Sequence, residues 1–331
     1  MKDYVKSLKN ISVSDTDQVG TKNAFLGEIF THIALRDIRV PEGFVITASA
    51  FRHFIEYNKL DGVHEKLLTQ INTQKHSNIA EIGQKARDLI LGARLPGDIY
   101  DLIISEYLNL CEDFGPEVAV RSSSLSQRPF HNGIKDKHET FLNVKGEKAL
   151  IDSVKKCFAS LYSDKALMED PLNMDTAISV AVQTMVRADN SCSGLAYTAD
   201  PVSGFMDVIH ISGVWGLGEN ILQEQSSPDE FIVYKPTLPQ GLKSIIQRKM
   251  GSKSRMMTSR EVDGNRQVVE VDTPADQRGK FVLNDEEILT IANWGMTLEN
   301  YYSSPMSMEW AKDGNSQNLY LLQAKPKQFR K

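Results

Sequence analysis

One basic residue of this chain, Arg121, has surroundings that suit an oxyanion. The stretch Glu117-Val-Ala-Val-Arg121-Ser-Ser-Ser is a short apolar strand pattern that ends in an arginine and three hydroxyl groups. A guanidinium group binds phosphate oxygens in pairs, so this pattern indicates a phosphate contact. A second basic residue, Lys22, lies near the first turn of a predicted helix. Each has an ordinary alternative, because surface loops and solvated helix starts also contain such residues.

The segment 305–326 has the pattern of a β-hairpin with polar side chains on one face. Glu309 lies on the face opposite to the apolar side chains of its strand, and Gln323 shares a face with Lys325 by the two-residue period. A carboxylate and an amide oxygen on neighbouring strands could hold a hard divalent cation, since such ions prefer oxygen ligands. A hairpin with ordinary polar edges is the alternative.

The stretch 192–235 predicts two short strands, at 195–198 and 207–212, followed by a glycine-spaced turn at 213–218 and an acidic segment. Glycines at this spacing let the backbone approach another group closely. A dinucleotide-binding fold would require a third glycine opening a helix and an acid about 20 residues further on. Glutamate and asparagine follow the turn instead, and leucine and proline stand near residue 238. The pattern therefore does not fit a Rossmann fold.

The elements that must position these residues alternate between helical and strand periodicity. Helix patterns include residues 24–33, 60–113, 147–162 and 284–302, and strand patterns include residues 117–121, 139–144, 178–186 and 267–271. The helix at 284–302 begins with the N-cap-to-N3 spacing of a capping box. We expect an α+β fold in two lobes, with residues 1–186 in the first and residues 187–331 in the second.

The composition indicates a globular, cytoplasmic protein. The net charge of −5 gives no electrostatic reason to expect a nucleic-acid or membrane partner. Three cysteines that are far apart, Cys111, Cys157 and Cys192, read as reduced thiols in the core or near the surface. No apolar run approaches the roughly 18 residues of a membrane span. The N-terminus lacks the apolar centre of a signal peptide.

Motifs along almost the whole chain resemble one known family. They are, in order, VGTKNAFLGEI, VPEGFVITASAF, VAVRSSS, ETFLNVKGE, VAVQTMV, SGLAYTADPVSGF, VWGLGENILQ, PDEFIVYK, GSKSRMM, LNDEEIL, YYSSPMSMEWAKDG and YLLQAKP. Together they resemble the N-terminal nucleotide-binding domain of the phosphoenolpyruvate synthase and pyruvate phosphate dikinase family. The resemblance implies a two-lobed ATP-grasp fold with the nucleotide in the cleft between the lobes.

The resemblance also implies roles for the polar residues described above. Lys22 and Arg121 match the family's cations that contact ATP phosphates, and Glu309 and Gln323 match its magnesium-binding pair. Lys325 matches a position that is usually arginine, so the charge is kept and the bidentate geometry is lost. ATP and Mg²⁺ are therefore the expected cofactors, with Lys22, Arg121 and Lys325 as the catalytic cations.

Further positions of the nucleotide site follow from the same comparison. Gln183, Met185 and Val186 match the family strand that lies along the adenine. Gly133 corresponds to the phosphate-loop glycine, but the loop 125–138 around it departs from the family pattern in spacing and in charge. Two lysines and an arginine replace the usual acids there, which puts the detailed contacts of this loop in question.

The family's phosphohistidine motif is absent from the chain. We therefore expect a MgATP-binding subunit of a split dikinase, which converts ATP to AMP and phosphate and phosphorylates a histidine on a partner subunit. An arrangement similar to phenylphosphate synthase, with a phenol as acceptor, is the first interpretation. The ATP-binding part of a phosphoenolpyruvate synthase, with pyruvate as acceptor, is the second. A non-catalytic nucleotide-binding regulatory subunit and an excised domain of a longer protein stay open as alternatives.

Overall fold

Two antiparallel sheets, each with its own helices, form the main body of the chain. The computed structural model describes residues 3–33, 37–72, 77–110, 116–125, 139–169, 177–218, 227–262 and 265–327. Met1–Thr31 and Glu42–Met185 form one compact unit, and His32–Pro41 and Val186–Lys331 form the other. The mixture of helices and sheets confirms the predicted α+β class.

The first unit is built on a five-stranded sheet with the order β1-β2-β5-β3-β4. Its strands are β1 Val5–Ser7, β2 Gly43–Ile46, β3 Val118–Leu125, β4 Thr140–Val144 and β5 Ala177–Thr184. Its helices are α1 Thr16–Glu28, α2 Ala48–Tyr57, α3 Asp61–Leu68, α4 Ile79–Gly92, α5 Gly97–Asn109, α6 Glu147–Ala159 and α7 Asp164–Glu169. Short 3-10 turns lie at Leu8–Asn10, Val13–Asp15 and Ser160–Tyr162, and a π-helical segment, Ile29–Ile33, follows α1.

One face of this sheet carries the apolar core of the first unit. Val118 and Val120 of β3 and Val180 and Val182 of β5 are fully buried and belong to one hydrophobic cluster. The helices α2 and α6 pack directly on these strands, and α4 packs on α6. Because side chains alternate along a strand, the residues between these valines point to the opposite face.

The second unit is built on a six-stranded sheet with the order β13-β12-β6-β7-β8-β9. Its strands are β6 Cys192–Tyr197, β7 Val208–Trp215, β8 Asp229–Tyr234, β9 Ile245–Lys249, β12 Met306–Lys312 and β13 Leu319–Pro326. A separate two-stranded sheet joins β10 Arg255–Val262 to β11 Asn265–Asp272. The helices are α8 Ala275–Arg278 and α9 Asp285–Tyr302, and 3-10 turns lie at Ala188–Asn190 and Lys235–Gln240.

The helix α9 covers one face of the second sheet and begins as the sequence predicts. Asn284 accepts a hydrogen bond from the Glu287 backbone N–H, and the Glu287 side chain accepts one from the Asn284 N–H. This reciprocal pair is a complete capping box. On the covered face, Gly295 of the helix lies against Thr198 and Met308 of the sheet region.

The glycine-spaced stretch differs from its prediction, because Gly213 lies inside strand β7 and not in a loop. A Cβ atom on Gly213 would come within 3.1 Å of the Trp310 indole, and one on its strand partner Gly194 within 2.5 Å. The close approach that these two glycines permit is therefore to a buried tryptophan. Gly216, with a φ of 80°, is the first residue to leave the strand geometry.

Strand β8 begins with an ion pair that is fully shielded from solvent. Asp229 and Lys253 both have 0% exposed side chains, and the Lys253 ammonium donates a hydrogen bond to Oδ1 of Asp229. The backbone N–H groups of Gly251 and Val282 donate to the two Asp229 oxygens at 2.8 and 2.9 Å. The aspartate thereby ties two chain segments to the start of β8.

The described cysteines are free and buried, in agreement with the prediction of reduced thiols. Cys157 and Cys192 have no disulfide partner, and Cys111 lies outside the described residues. Burial raises the pKa of the Cys192 thiol to about 12, so it stays protonated at neutral pH. Within the described residues, no helix is both long enough and apolar enough to cross a bilayer.

Candidate functional site

The face of the first sheet opposite to the core carries two of the predicted site residues. Arg121 of β3 is paired with Ala181 of β5, and Gln183 of β5 is paired with Ala119 of β3. Residues two apart on a strand share a face, so Arg121 and Gln183 both lie on the side that does not carry the buried valines. Gln183 is 3% exposed, whereas Arg121 is half-buried.

Helix α1 packs on this same face and brings Lys22 to it. Gly20 in α1 has a φ of 77°, and a Cβ atom there would lie 2.6 Å from the Ser123 hydroxyl on β3. The next turn is held by Asn23, whose side-chain amide donates to Ser179 of β5 at 3.2 Å. Ser123 and Ser179 are themselves strand partners on the Arg121 face. Lys22, Arg121 and Gln183 therefore lie on one side of the first sheet.

The predicted adenine strand ends earlier than the sequence pattern indicates. Strand β5 stops at Thr184, and the Met185 backbone N–H donates to the Glu117 carbonyl at 2.9 Å within the first unit. Val186, the next residue, belongs to the second unit. Its carbonyl accepts a hydrogen bond from Ala188 at 2.8 Å, and Arg187 between them has φ −78° and ψ 55°. This is an inverse γ-turn, and it follows the end of the strand.

The γ-turn after Val186 is anchored to the turn of the β12–β13 hairpin. The Arg187 N–H donates to the Asp313 carboxylate at 2.8 Å, and the Gly314 N–H donates to the Arg187 carbonyl at 3.0 Å. Burial would raise the pKa of Asp313, but hydrogen bonds from Ser316 and Arg187 lower it below its ordinary value. The sequence patterns did not indicate this anchor, because it joins residues far apart in the chain.

The hairpin of the second unit forms as predicted and places Glu309 directly opposite Gln323. Two residues along, Ser307 of β12 is paired with Lys325 of β13. Glu309, Gln323, Ser307 and Lys325 are all partly exposed, whereas Met308 is buried on the α9 side. The carboxylate, the amide and the ammonium group are therefore side by side on the face that α9 does not cover.

A β-bulge in the second strand of this hairpin determines on which face the Gln323 side chain lies. Glu309 is paired with Gln323, but the next residue, Trp310, is paired with Leu321, so Leu322 is an extra residue on β13. Leu321 is fully buried with Trp310. A strictly regular strand would place Gln323 on the same buried face as Leu321, and the extra residue reverses that alternation. The bulge is therefore what turns Gln323 toward Glu309.

Two further residues on this face were not among the predicted site residues. Tyr197 of β6 is the strand partner of Ser307, and the Lys327 ammonium lies 4.1 Å from the centre of the Tyr197 ring. Burial and the charge of Glu309 raise the pKa of Tyr197. Burial and the neighbouring charge of Lys325 lower the pKa of Lys327. The same period of two that relates Gln323 to Lys325 continues to Lys327 and could have indicated it.

The oxygen ligands of the hairpin fit a magnesium ion that is completed by other ligands. Glu309 supplies a carboxylate and Gln323 an amide oxygen, which are both hard ligands. In the described part of the chain, no group of three or more His, Cys, Asp or Glu residues could hold a metal. A Mg²⁺ ion commonly binds through one or two carboxylates, substrate phosphates and water, so the Glu–Gln pair suits a metal that arrives with a phosphate ligand.

The predicted phosphate-loop residue Gly133 lies outside the described residues, as does most of the loop 125–138. Hydrogen bonds join the two chain segments that flank this loop. The Ser122 N–H donates to the Glu139 carbonyl at 3.0 Å, and the Glu139 N–H donates to the Ser122 hydroxyl at 2.9 Å. The Glu139 end of the loop therefore lies next to Arg121, whereas Leu125, at the other end, lies four residues further along β3 and is paired with Ala177.

Comparison with known proteins identifies the family. The profile of the family described as "Pyruvate phosphate dikinase, AMP/ATP-binding domain" matches residues 16–331. The chain belongs to this family. The resemblance inferred from the sequence motifs is thereby confirmed.

Several phosphoenolpyruvate synthases are similar to this dikinase-family chain. The one of Aquifex aeolicus is 37% identical over 96% of the chain and 39% of that protein. The one of Deinococcus radiodurans is 38% identical over 98% of the chain and 41% of that protein. The one of Escherichia coli is 36% identical over 97% of the chain and 41% of that protein. The chain thus spans about two fifths of the length of these relatives.

Proposed function

We propose that this protein binds MgATP and provides the nucleotide-dependent half of a dikinase-type phosphoryl transfer. In this reaction ATP is converted to AMP; one of the two phosphoryl groups removed is transferred to a histidine on a partner subunit, and the other is transferred to water and released as phosphate. The observation that carries the proposal is the placement of Glu309 directly opposite Gln323, with Lys325 two residues further along the same strand face. That arrangement offers oxygen ligands for a metal and a cation for the phosphates that the metal carries.

In this proposal, Lys22, Arg121 and Lys325 neutralise the phosphate charges of ATP. Gln183, Met185 and Val186 contact the adenine, and Gly133 contacts the phosphates. Magnesium held by Glu309 and Gln323 would supply charge neutralisation as the phosphoryl group moves. Phosphoryl transfer requires positioning and electrostatic stabilisation from the protein, which a set of fixed cations provides.

The acceptor distinguishes the narrower forms of this proposal. A phenol acceptor corresponds to a phenylphosphate synthase-like system. A pyruvate acceptor corresponds to a phosphoenolpyruvate synthase, the name carried by the relatives at 36–38% identity. A regulatory subunit that binds nucleotide without transferring phosphate is the third form. We place the acceptor site on the partner in the first two forms.

A label-transfer experiment separates these forms. The protein is incubated with Mg²⁺ and ATP labelled at the β- or γ-phosphate, together with a phosphohistidine-type partner from the same operon. We expect acid-labile, base-stable label on the partner and formation of AMP, and then label on phenol or on pyruvate. Nucleotide binding without labelling of any partner would support the regulatory form. Rapid ADP formation with a small carboxylic acid would instead indicate an ATP-grasp ligase.

Arg121 provides a quantitative test of the proposed phosphate contacts in the first unit. Replacing Arg121 by alanine is expected to weaken ATP binding by about 1.5–3 kcal/mol, because charged hydrogen bonds contribute that much. Calorimetric titration with MgATP measures the change. Arg52→Ala is the matched control, since Arg52 is exposed on α2, which packs on the other face of the sheet. Equal ATP affinity in the Arg121 and Arg52 variants would show that Arg121 does not contact ATP.

A further inference from the structure

Lys327 continues the polar face of the β12–β13 hairpin beyond its last strand pair. Met306 is paired with Pro326, and the Lys327 N–H then donates to the Pro305 carbonyl at 2.8 Å. The backbone therefore keeps the hairpin register for one more residue. Because side chains alternate along a strand, Lys327 points to the same face as Lys325.

The aromatic ring of Tyr197 holds the Lys327 side chain over this face. Ser307 is paired with Lys325 on one side and with Tyr197 of β6 on the other. The Lys327 ammonium lies 4.1 Å from the centre of the Tyr197 ring, within the range of a cation–π contact. Lys325 therefore lies opposite Ser307, and Lys327 contacts the ring of the other strand partner of Ser307, which restricts the position of its ammonium group.

Two ammonium groups on neighbouring positions of one strand face favour the binding of an anion. Like charges that share a site repel each other, and an anion bound between them relieves that repulsion. Lys325 and Lys327 are two residues apart on one strand face, and burial together with the charge of Lys325 lowers the pKa of Lys327. The lysines also lie next to the proposed metal ligands, since two residues along a strand separate Lys325 from Gln323, or about 7 Å.

We propose that Lys325 and Lys327 together bind the terminal phosphate of the nucleotide, with Tyr197 as the residue that positions Lys327. This inference rests on the proposed function, because it assigns a ligand group to the same MgATP site. A lysine is a point charge with rotatable donors and cannot grip two phosphate oxygens as an arginine does. Two lysines that approach from neighbouring positions supply separate donors to separate oxygens of one phosphate group.

The test compares ATP with AMP. We expect Lys327→Met to weaken MgATP binding about 5- to 20-fold, since charged hydrogen bonds to phosphate are lost. AMP binding stays within about twofold, because AMP lacks the terminal phosphates. Lys325→Arg in the Lys327→Met protein is expected to restore most of the ATP affinity, since a guanidinium fork replaces two point donors. Calorimetric titrations of the full chain give all of these values.

Three controls make the test specific. Lys243→Met removes the same charge from an exposed position in the second unit and should leave both affinities unchanged. Tyr197→Phe keeps the ring and should retain ATP binding, whereas Tyr197→Leu should weaken it in the same direction as Lys327→Met. Tryptophan fluorescence of each variant checks that the second unit is folded, because all three tryptophans lie in it.

The outcomes of the two proposals are distinguishable. If the unaltered protein binds MgATP and Lys327→Met binds it equally well, the two-lysine phosphate site is wrong and the proposed function stands. Equal weakening of ATP and AMP by Lys327→Met would also overturn the phosphate assignment. Absence of MgATP binding by the unaltered protein would contradict the proposed function itself.

Discussion

Replacing Glu309 by glutamine is expected to remove the magnesium dependence of ATP binding and to abolish labelling of the partner. Glu309 is the only carboxylate in the proposed metal pair, and Gln323 opposite it is neutral. Changing a residue that merely orients a metal ligand lowers metal affinity about 10- to 100-fold. Loss of the charge of the ligand itself should therefore lower metal affinity at least as much. Calorimetric titration with ATP, with and without Mg²⁺, measures the effect.

Glu230 is the matched control for this experiment. It lies on β8 in the same row as Glu309, through the partners Leu195 of β6 and Ser212 of β7. Three strand spacings separate the two carboxylates, or about 14 Å, which is too far for one metal ion to bind both. Glu230→Gln should therefore keep magnesium-dependent binding. Full magnesium dependence in Glu309→Gln would show that the metal assignment is wrong.

Replacing Asp229 by alanine is expected to destabilise the second unit by about 3–5 kcal/mol, because a lysine is then left buried without a counter-charge. Lys253 is 0% exposed and cannot reach solvent without displacing the segment that carries it. The backbone N–H groups of Gly251 and Val282 lose their acceptors at the same time. Urea unfolding followed by tryptophan fluorescence measures this, since the three tryptophans lie in the second unit.

Glu230, the residue after Asp229, is the control for this stability measurement. Glu230 forms a 2.9 Å ion pair with Lys249, whose side chain is 62% exposed. Exposed pairs contribute about 0–1 kcal/mol, so Glu230→Ala should change the free energy of unfolding far less than Asp229→Ala. The double variant Asp229→Leu with Lys253→Met should recover part of the loss, because no buried charge then remains unpaired. A similar cost for Asp229→Ala and Glu230→Ala would contradict the role of burial.

Local patterns in the sequence were sufficient for several elements of this protein. The capping box at Asn284 and Glu287 forms as its spacing predicts, because both partners lie within one helical turn. The hairpin that carries Glu309 and Gln323 also follows from alternation and a short turn. The family motifs identified the nucleotide-binding domain, and the match over residues 16–331 confirms that identification.

The tertiary structure decided the features that depend on contacts between distant segments. Gly213 lies in a strand because it is paired with Gly194 of β6 and Asp229 of β8, and Val282 and Trp310 occupy the space that a Cβ atom there would need. The bulge at Leu322 turns Gln323 toward Glu309, and only pairing with the neighbouring strand can place it.

The contact between Lys327 and Tyr197 also depends on segments that are distant in the chain. Its proximity to Tyr197 joins residues 130 positions apart (327 minus 197) through a sheet. A sequence determines directly what lies within a helical turn or a hairpin, because the chain itself holds those residues near each other. The order of strands in a sheet is set by packing over the whole unit, and that order determines which polar side chains meet on one face.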